Sequence, residues 1–276
     1  MLFPKESSEP LFPDQPPEPF VEPDYSTWDV ATRGPTPYPT WLVTDLAAVD
    51  TDLGVLKTGK EADVHLLRRA LPDTSGVLLA AKRYRGADHR LFHRDAGYTE
   101  GRRVRRSREM RAMSRRTDFG RELLAGQWAG AEFAALSALW ELGAPVPYPV
   151  QLHGTELLLE FIGSPDGSAA PRLAQCRPSP AELADLFEQC VDAMRLLAEG
   201  GYAHGDLSPY NLLVHDGRLV MIDLPQIVDV AANPNGAQFL HRDCVNVCDW
   251  FTRRGLPDAD PEPLFGDLMA LAVATW

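Results

Sequence analysis

The chain has 276 residues, 45% of them hydrophobic, with four cysteines and a formal net charge of −12. That is enough apolar residue for one large or one bilobal core, and the acidic balance argues against general nucleic-acid binding. No apolar run approaches the roughly 18 residues a membrane span needs.

The first residues carry neither the basic nor the apolar region of a signal peptide. Cys176, Cys190, Cys244 and Cys248 are therefore expected as reduced thiols, and the protein as cytoplasmic. His241, Cys244 and Cys248 lie close in sequence but complete no zinc-ligand pattern, so they read as helix residues with buried or half-buried thiols.

Ten of the 24 prolines fall in the first 50 residues, where Lys5 and Arg33 are the only basic side chains. Such a stretch buries too little apolar surface to offset its ordering entropy, so residues 1–45 are expected to form a Pro-rich tail. A small sheet-based lobe is expected over 46–162. Its first landmark is "GVLKTGK" (54–60), a G-x-x-x-x-G-K run close to a phosphate-binding P-loop. Glu61 follows where the metal-binding hydroxyl should be, and no long helix is signalled. Residues 57–62 are read instead as a short phosphate-covering loop between two strands. The run 62–67 and "GVLLAAKRY" (76–84) are β-like, with a hairpin turn over 72–76.

An arginine-rich segment follows. Thirteen arginines and six acids lie between Arg83 and Glu122. The segment reads as a flexible solvated insertion over about 85–121, or as a contact surface over 83–121 for RNA, a ribosomal partner or another polyanion. "QWAGAEFAALSALWEL" (127–142) has helical periodicity, ended by Gly143 and Pro145. "PVQLHGTELLLEFIG" reads as two strands turning at His153–Gly154. A helical lobe is expected over 163–276. Its first helix starts at Ser179–Pro180 with Glu182 at the third position and stops at Gly200–Gly201; two more span 236–252 and 262–275. Strands first and helices later predict two lobes with a cleft between them.

The chemistry-bearing stretch is "AHGDLSPYNLLVHDGRLVMID" (203–223). His204, Asp206, Leu207 and Asn211 fit H-x-D-L-x-x-x-N, the catalytic-loop pattern of protein kinases. An Asp is needed to accept or orient the proton of the attacking hydroxyl, and an Asn a short loop later to hold a metal on the phosphates. A hairpin turning at Asp216–Gly217 then delivers Asp223 as a second metal ligand. Upstream, Lys82 ends a strand comparable to V-A-I-K, and Glu132 sits in the first amphipathic helix, where a kinase-like fold places the acid that pairs with that lysine.

Taken together, "TGKEADVHLL" (58–67), "AAKRY" (80–84), "HGDLSPYNLLV" (204–214), "IDLPQIVD" (222–229) and "FLHRDCVNVCDWF" (239–251) resemble the RIO family of atypical serine/threonine kinases, most closely its RIO1-type branch. The resemblance covers about 55–251. It implies an α+β, bilobal kinase-like fold with a trimmed C-terminal lobe, and a protein kinase or autophosphorylating ATPase using Mg-ATP, with Mn²⁺ as an alternative ion. By that resemblance Thr58, Gly59, Lys60 and Glu61 cover the phosphates. Lys82 holds the α- and β-phosphates and pairs with Glu132, and Glu160 and Ile162 form the hinge that meets adenine. Asp206 is the acid/base or a transient phosphate acceptor. Asn211 and Asp223 hold the metal, and Asp223 is itself a candidate for phosphorylation. The substrate is an unidentified protein or the chain itself.

The chain departs from conventional kinases in several places. Gly205 replaces the usual Arg, Leu224-Pro225 replaces Phe-Gly, and no A-P-E follows; activation through a phosphorylated loop is therefore not expected. Lys57 stands where the family often carries Ser. Two other readings remain: a small-molecule phosphotransferase of kinase-like fold, and a slow nucleotide-dependent switch in ribosome- or RNA-related assembly.

Overall fold

The structure is a computed structural model that describes residues 24–85, 118–224 and 227–274. Its elements alternate little. A six-stranded antiparallel sheet comes first, with one helix against it, and three helices with short hairpins follow. The strands are β1 (Thr32–Arg33), β2 (Val49–Thr58), β3 (Ala62–Ala70), β4 (Val77–Tyr84), β5 (Pro149–His153) and β6 (Glu156–Glu160), in the order β1-β5-β6-β4-β3-β2. Helix α1 (Asp118–Glu141) packs against β4, β5 and β6. The second half holds α2 (Pro180–Glu199), β7 (Tyr202–Ala203), β8 (Leu212–His215), β9 (Arg218–Met221), β10 (Val228–Asp229), α3 (Gly236–Arg253) and α4 (Pro261–Ala274). This is the α+β, kinase-like arrangement with a small helical second half.

Local signals account for several boundaries. Ser179 caps α2 in a reciprocal box with Glu182, and Pro180 occupies the first helical position, where a missing N–H costs nothing. The β8–β9 hairpin turns at Asp216–Gly217, both with positive φ (49° and 74°), the geometry of a two-residue turn matched to strand twist. Helix α1 begins nine residues before the expected start at Gln127, because Glu122, Leu123, Leu124 and Ala125 are strong helix formers that the surrounding arginines obscured.

One large core joins the two halves. Phe133, Leu136 and Leu139 of α1 and Leu157 of β6 share a cluster with Leu186, Met194 and Leu197 of α2 and with Leu240, Val247 and Phe251 of α3. Each large apolar side chain buried in this way contributes about 1.5–3 kcal/mol.

Two expectations are corrected here. The tail expected over 1–45 ends earlier, since residues 24–45 belong to the sheet lobe; residues 1–23 lie outside the described residues. Thr32 and Arg33 form an edge strand on β5, and Trp28 and Leu42 are buried in a second core with Leu67, Leu79, Tyr148, Val150 and Leu158. Tyr148 also donates its hydroxyl to the Pro35 carbonyl (2.8 Å) and meets the ring of Trp41 edge-on. A few aromatic anchors thus outweigh the proline content. The arginine-rich insertion is corrected at both ends. Arg83 lies on β4 and pairs with Asp52 and Glu156 (2.6 Å each), Arg85 pairs with Asp63, and residues 118–121 are helical. Residues 86–117, on which the polyanion-contact reading mainly rests, lie outside the described residues.

The near-P-loop run is also resolved. Gly54 sits inside β2 at a register shift, with φ 112°, a conformation that favours glycine. It makes a strand bulge, with no helix after it.

A fully buried arginine fastens residues 24–42 to the sheet. Arg69 on β3 is 0% exposed and forks onto Asp50 (2.8 and 2.7 Å) and Gln151 (3.0 Å), and Gln151 donates to the Thr27 hydroxyl (2.7 Å). Arg69→Ala leaves Asp50 and Gln151 without their donor. It is expected to cost about 3 kcal/mol, lowering the melting temperature by roughly 6–12 °C and speeding proteolysis within 24–48. An unchanged melting temperature would show the network to be dispensable.

Candidate active site

Three chain segments converge at the junction of the two halves. Lys82 lies on β4, paired in register with Val64 and Leu157 of the flanking strands. Its ammonium donates to Glu132 Oε1 of α1 (2.8 Å) and to Asp223 Oδ1 (2.9 Å), just beyond β9. Glu132 is 1% exposed. Its second oxygen accepts the Tyr84 hydroxyl, and Oε1 also accepts the Leu224 N–H at 3.3 Å. One buried carboxylate therefore ties the central strand to the segment carrying Asp223. Burial opposes the charge on Lys82, but Glu132 and Asp223 more than compensate and raise its pKa above the ordinary lysine value. Loss of water pushes the Asp223 carboxyl up, but Lys82, with Lys57 and His204 beyond it, outweighs this and holds it below the ordinary range. Burial and Glu132 push the Tyr84 phenol far up, so it stays a donor.

Asp206 and Asn211 sit on the loop between β7 and β8. Asn211 Nδ2 donates to the Asp206 carbonyl (2.9 Å), and the Asn211 carbonyl accepts from Ile222 N–H (2.9 Å), next to Asp223. His204, buried, lies 3.2 Å from the Ile222 carbonyl through Nε2. Asp206 itself is exposed. The loop is thereby laced to the Asp223 segment. Gly205 has φ 84°, a left-handed conformation that favours glycine.

Thr58 ends β2, and Gly59, Lys60 and Glu61 form the turn from β2 to β3. Gly59 N–H donates to the Ala62 carbonyl (3.0 Å), Glu61's carbonyl accepts from Arg85 N–H (2.9 Å), and Lys60 is exposed. Thr58 lies in register opposite Asp63 of β3. Glu160 ends β6. Its N–H donates to Tyr148's carbonyl (2.9 Å) and its carboxylate accepts from Tyr148 N–H (3.0 Å), while Ile162's carbonyl accepts from Ala170 N–H (2.9 Å). Burial raises the Glu160 carboxyl above its ordinary value.

Asp223 and Asn211 offer hard oxygen donors, beside a lysine anchored by its own acid. That donor set suits a magnesium-bound polyphosphate. His241 instead meets Glu262 (2.8 Å), and Cys190, Cys244 and Cys248 are buried with pKa values pushed up by burial, that of Cys248 to about 11.

Sequence reasoning missed Asp243. It lies on α3, 1% exposed, and its two oxygens accept the N–H groups of Gly205 and Leu207 (2.8 Å each), on either side of Asp206. Arg242 donates to the Gly205 carbonyl and Asn246 to the Leu207 carbonyl (3.0 Å). A signal existed: Asp243 falls in the buried stripe Leu240, Cys244, Val247, Phe251, where a charge needs a partner. Tyr84 was missed for lack of any local signal.

A RIO domain model matches residues 87–264. The RIO-type serine/threonine-protein kinase Rio1 of Haloferax volcanii is 38% identical over 218 residues, covering 79% of this chain and 68% of that protein. The Rio1 of Thermoplasma acidophilum is 34% identical over 137 residues, 50% of this chain and 69% of that protein. Serine/threonine-protein kinase RIO1 of Caenorhabditis elegans is 38% identical over 139 residues, 50% of this chain and 27% of that longer protein. Among the described residues no helix is long and apolar enough to cross a membrane.

Proposed function

The chain belongs to the RIO family of serine/threonine kinases, and on that premise we propose that it transfers or releases the γ-phosphate of Mg-ATP, as a protein kinase or an autophosphorylating ATPase. The observation that carries this reading is the Lys82 ammonium shared between Glu132 and Asp223. Such a lysine is pre-positioned to hold the α- and β-phosphates without reorganising at the moment of reaction. Mg²⁺ held by Asn211 and Asp223 would supply charge neutralisation at the β- and γ-phosphates. Asp206 orients the attacking hydroxyl or water and takes its proton. Residues 58–61 cover the phosphates. With Glu160 N–H and Ile162 C=O engaged within the protein, adenine is left to meet the Glu160 carbonyl and the Ile162 N–H.

The test follows the γ-phosphate of Mg-ATP added to the purified chain, beside Asp206→Ala and Asp223→Ala. Phosphate is expected on the protein or free in solution, with turnover reduced roughly 100-fold or more in both variants. Nucleotide that binds but keeps its γ-phosphate would overturn the catalytic reading and favour a binding switch.

A further inference from the structure

A short hairpin ties the hinge end of the site back to the sheet. It starts at Ile162, whose carbonyl accepts the Ala170 N–H (2.9 Å). Gly163 then pairs with Ala169 in an antiparallel bridge, and Ser164 N–H donates to the Ser168 carbonyl (2.8 Å). The chain reverses over Ser164-Pro165-Asp166-Gly167, closed by the Gly167 N–H on the Ser164 carbonyl (3.0 Å). Asp166 also accepts the Ser168 N–H (2.9 Å). Proline at the second position and glycine at the fourth suit such a turn, and the aspartate bond stiffens it.

The tip of this hairpin lands on the face of the sheet that carries Lys82. Gly167 is half-buried between exposed neighbours and has φ 90°. A Cβ there would lie 2.9 Å from Leu66 Cδ2. Leu66 is buried, and it pairs with Ala80 as Val64 pairs with Lys82, so these four residues share one face. Packing agrees: Ala62 of this face joins Ala125 and Ala129 of α1, whereas Leu67, Leu79 and Ala81 of the opposite face join Trp28. Leu79 pairs with Glu160 and Lys82 with Leu157, so Leu66 and Ala80 lie toward the hinge end. The hairpin therefore spans from the hinge to the base-side end of the Lys82 face, anchored at both ends.

We propose that residues 163–169 form a specificity strap that closes the C2 edge of the bound purine. The strap rests on the Mg-ATP reading above and deepens it. With the adenine N6 amino group donating to the Glu160 carbonyl and N1 accepting from the Ile162 N–H, C2 is the next ring atom and faces the Ile162 carbonyl. That carbonyl already accepts from Ala170, and the strap leaves from the same residue. A purine with only hydrogen at C2 fits, and a larger group there meets the strap. Guanine is refused on two counts: its N1 carries a hydrogen toward the Ile162 N–H, and its C2 carries an amino group.

Calorimetry compares ATP with 2-chloro-ATP, both with Mg²⁺, on wild type and on a shortened chain in which Gly-Gly replaces residues 164–168. That length still lets Gly163 pair with Ala169. Wild type is expected to bind the 2-chloro analogue roughly 10-fold or more weakly than ATP, the scale of forcing an extra group into a fixed space. The shortened chain is expected to bring the two nucleotides within about threefold of each other and to hold ATP near its wild-type affinity, since no hinge hydrogen bond is removed. Pro165→Gly/Asp166→Gly keeps the chain length and loosens the turn; it is expected to narrow the gap roughly threefold, and it carries the test where the shortened chain does not fold. Equal affinity of wild type for the two nucleotides, or the same discrimination in wild type and the altered chains, overturns the strap alone. A wild-type chain that binds neither nucleotide overturns the Mg-ATP reading, and the strap with it.

Discussion

Replacing Lys82 by methionine is expected to lower γ-phosphate turnover about 100- to 1,000-fold, the scale of removing one fixed charge from a transition state that develops charge nearby. The same substitution should also destabilise the fold, and the two effects can be separated. Lys82 lies between Glu132, which is buried, and Asp223, whose side chain is exposed. Without it, Glu132 keeps only the Tyr84 hydroxyl and the Leu224 N–H. An uncompensated buried carboxylate costs about 3 kcal/mol, whereas replacing both members of a buried pair by uncharged groups is often neutral. Lys82→Met is therefore expected to melt roughly 6–12 °C lower, and Lys82→Met/Glu132→Gln to recover much of that loss. Turnover should recover in neither. Lys82→Arg is not a conservative control, because a planar fork cannot sit as a point charge between two carboxylates. Calorimetric melting beside a phosphate-release assay reads both effects. Full turnover in Lys82→Met would remove the lysine from the chemistry and leave it a structural ion pair.

Parts of this arrangement were legible in the sequence for local reasons. Ser179, Pro180 and Glu182 mark the start of α2 because capping is a matter of neighbouring residues. Asp216–Gly217 marks the β8–β9 hairpin because few other residues accept two positive φ values. The candidate site residues were legible as a pattern, and the fold brings Lys82, Glu132 and Asp223 into contact across 50 and 141 residues. What escaped was long-range compensation. Arg69 in "HLLRRA" reads as a surface charge, yet it is fully buried because Asp50 and Gln151 arrive from other strands. Residues 24–42 read as tail because proline and low charge dominate their composition, while a handful of side chains, Trp28, Trp41 and Leu42, decide where they pack. Asp243 belongs to the same class: its meaning lies in two amide groups 36 and 38 residues away.

Asp243 yields the second large effect. Its two oxygens each accept one backbone N–H, from Gly205 and Leu207 (2.8 Å each). Burial nevertheless pushes its carboxyl above the ordinary range, with His204 and the two amides opposing that shift. Asp243→Asn is therefore not a mild change. One side-chain oxygen can still accept, but the amide NH₂ then confronts a backbone donor, leaving one buried N–H without an acceptor. Asp243→Ala leaves both. The expected losses are about 2 and about 3 kcal/mol, seen as successively lower melting temperatures. The catalytic consequence follows from what the two amides flank. Asp206 lies between them, and Arg242 and Asn246 hold the carbonyls of Gly205 and Leu207. Helix α3 thus grips the backbone on both sides of Asp206, the proposed acid/base. If Asp206 is the acid/base as proposed, Asp243 acts as a positioning residue, and its loss is expected to lower kcat for phosphate transfer at least about 10-fold while KM for ATP changes little. A merely structural role would lower the amount of folded enzyme and leave kcat per folded molecule intact. An equal rise in KM would mean that the loop also shapes the nucleotide site. Kinetics at a temperature where both variants remain folded distinguish these outcomes. The expected one ties the buried stripe of α3 to the exposed acid it orients.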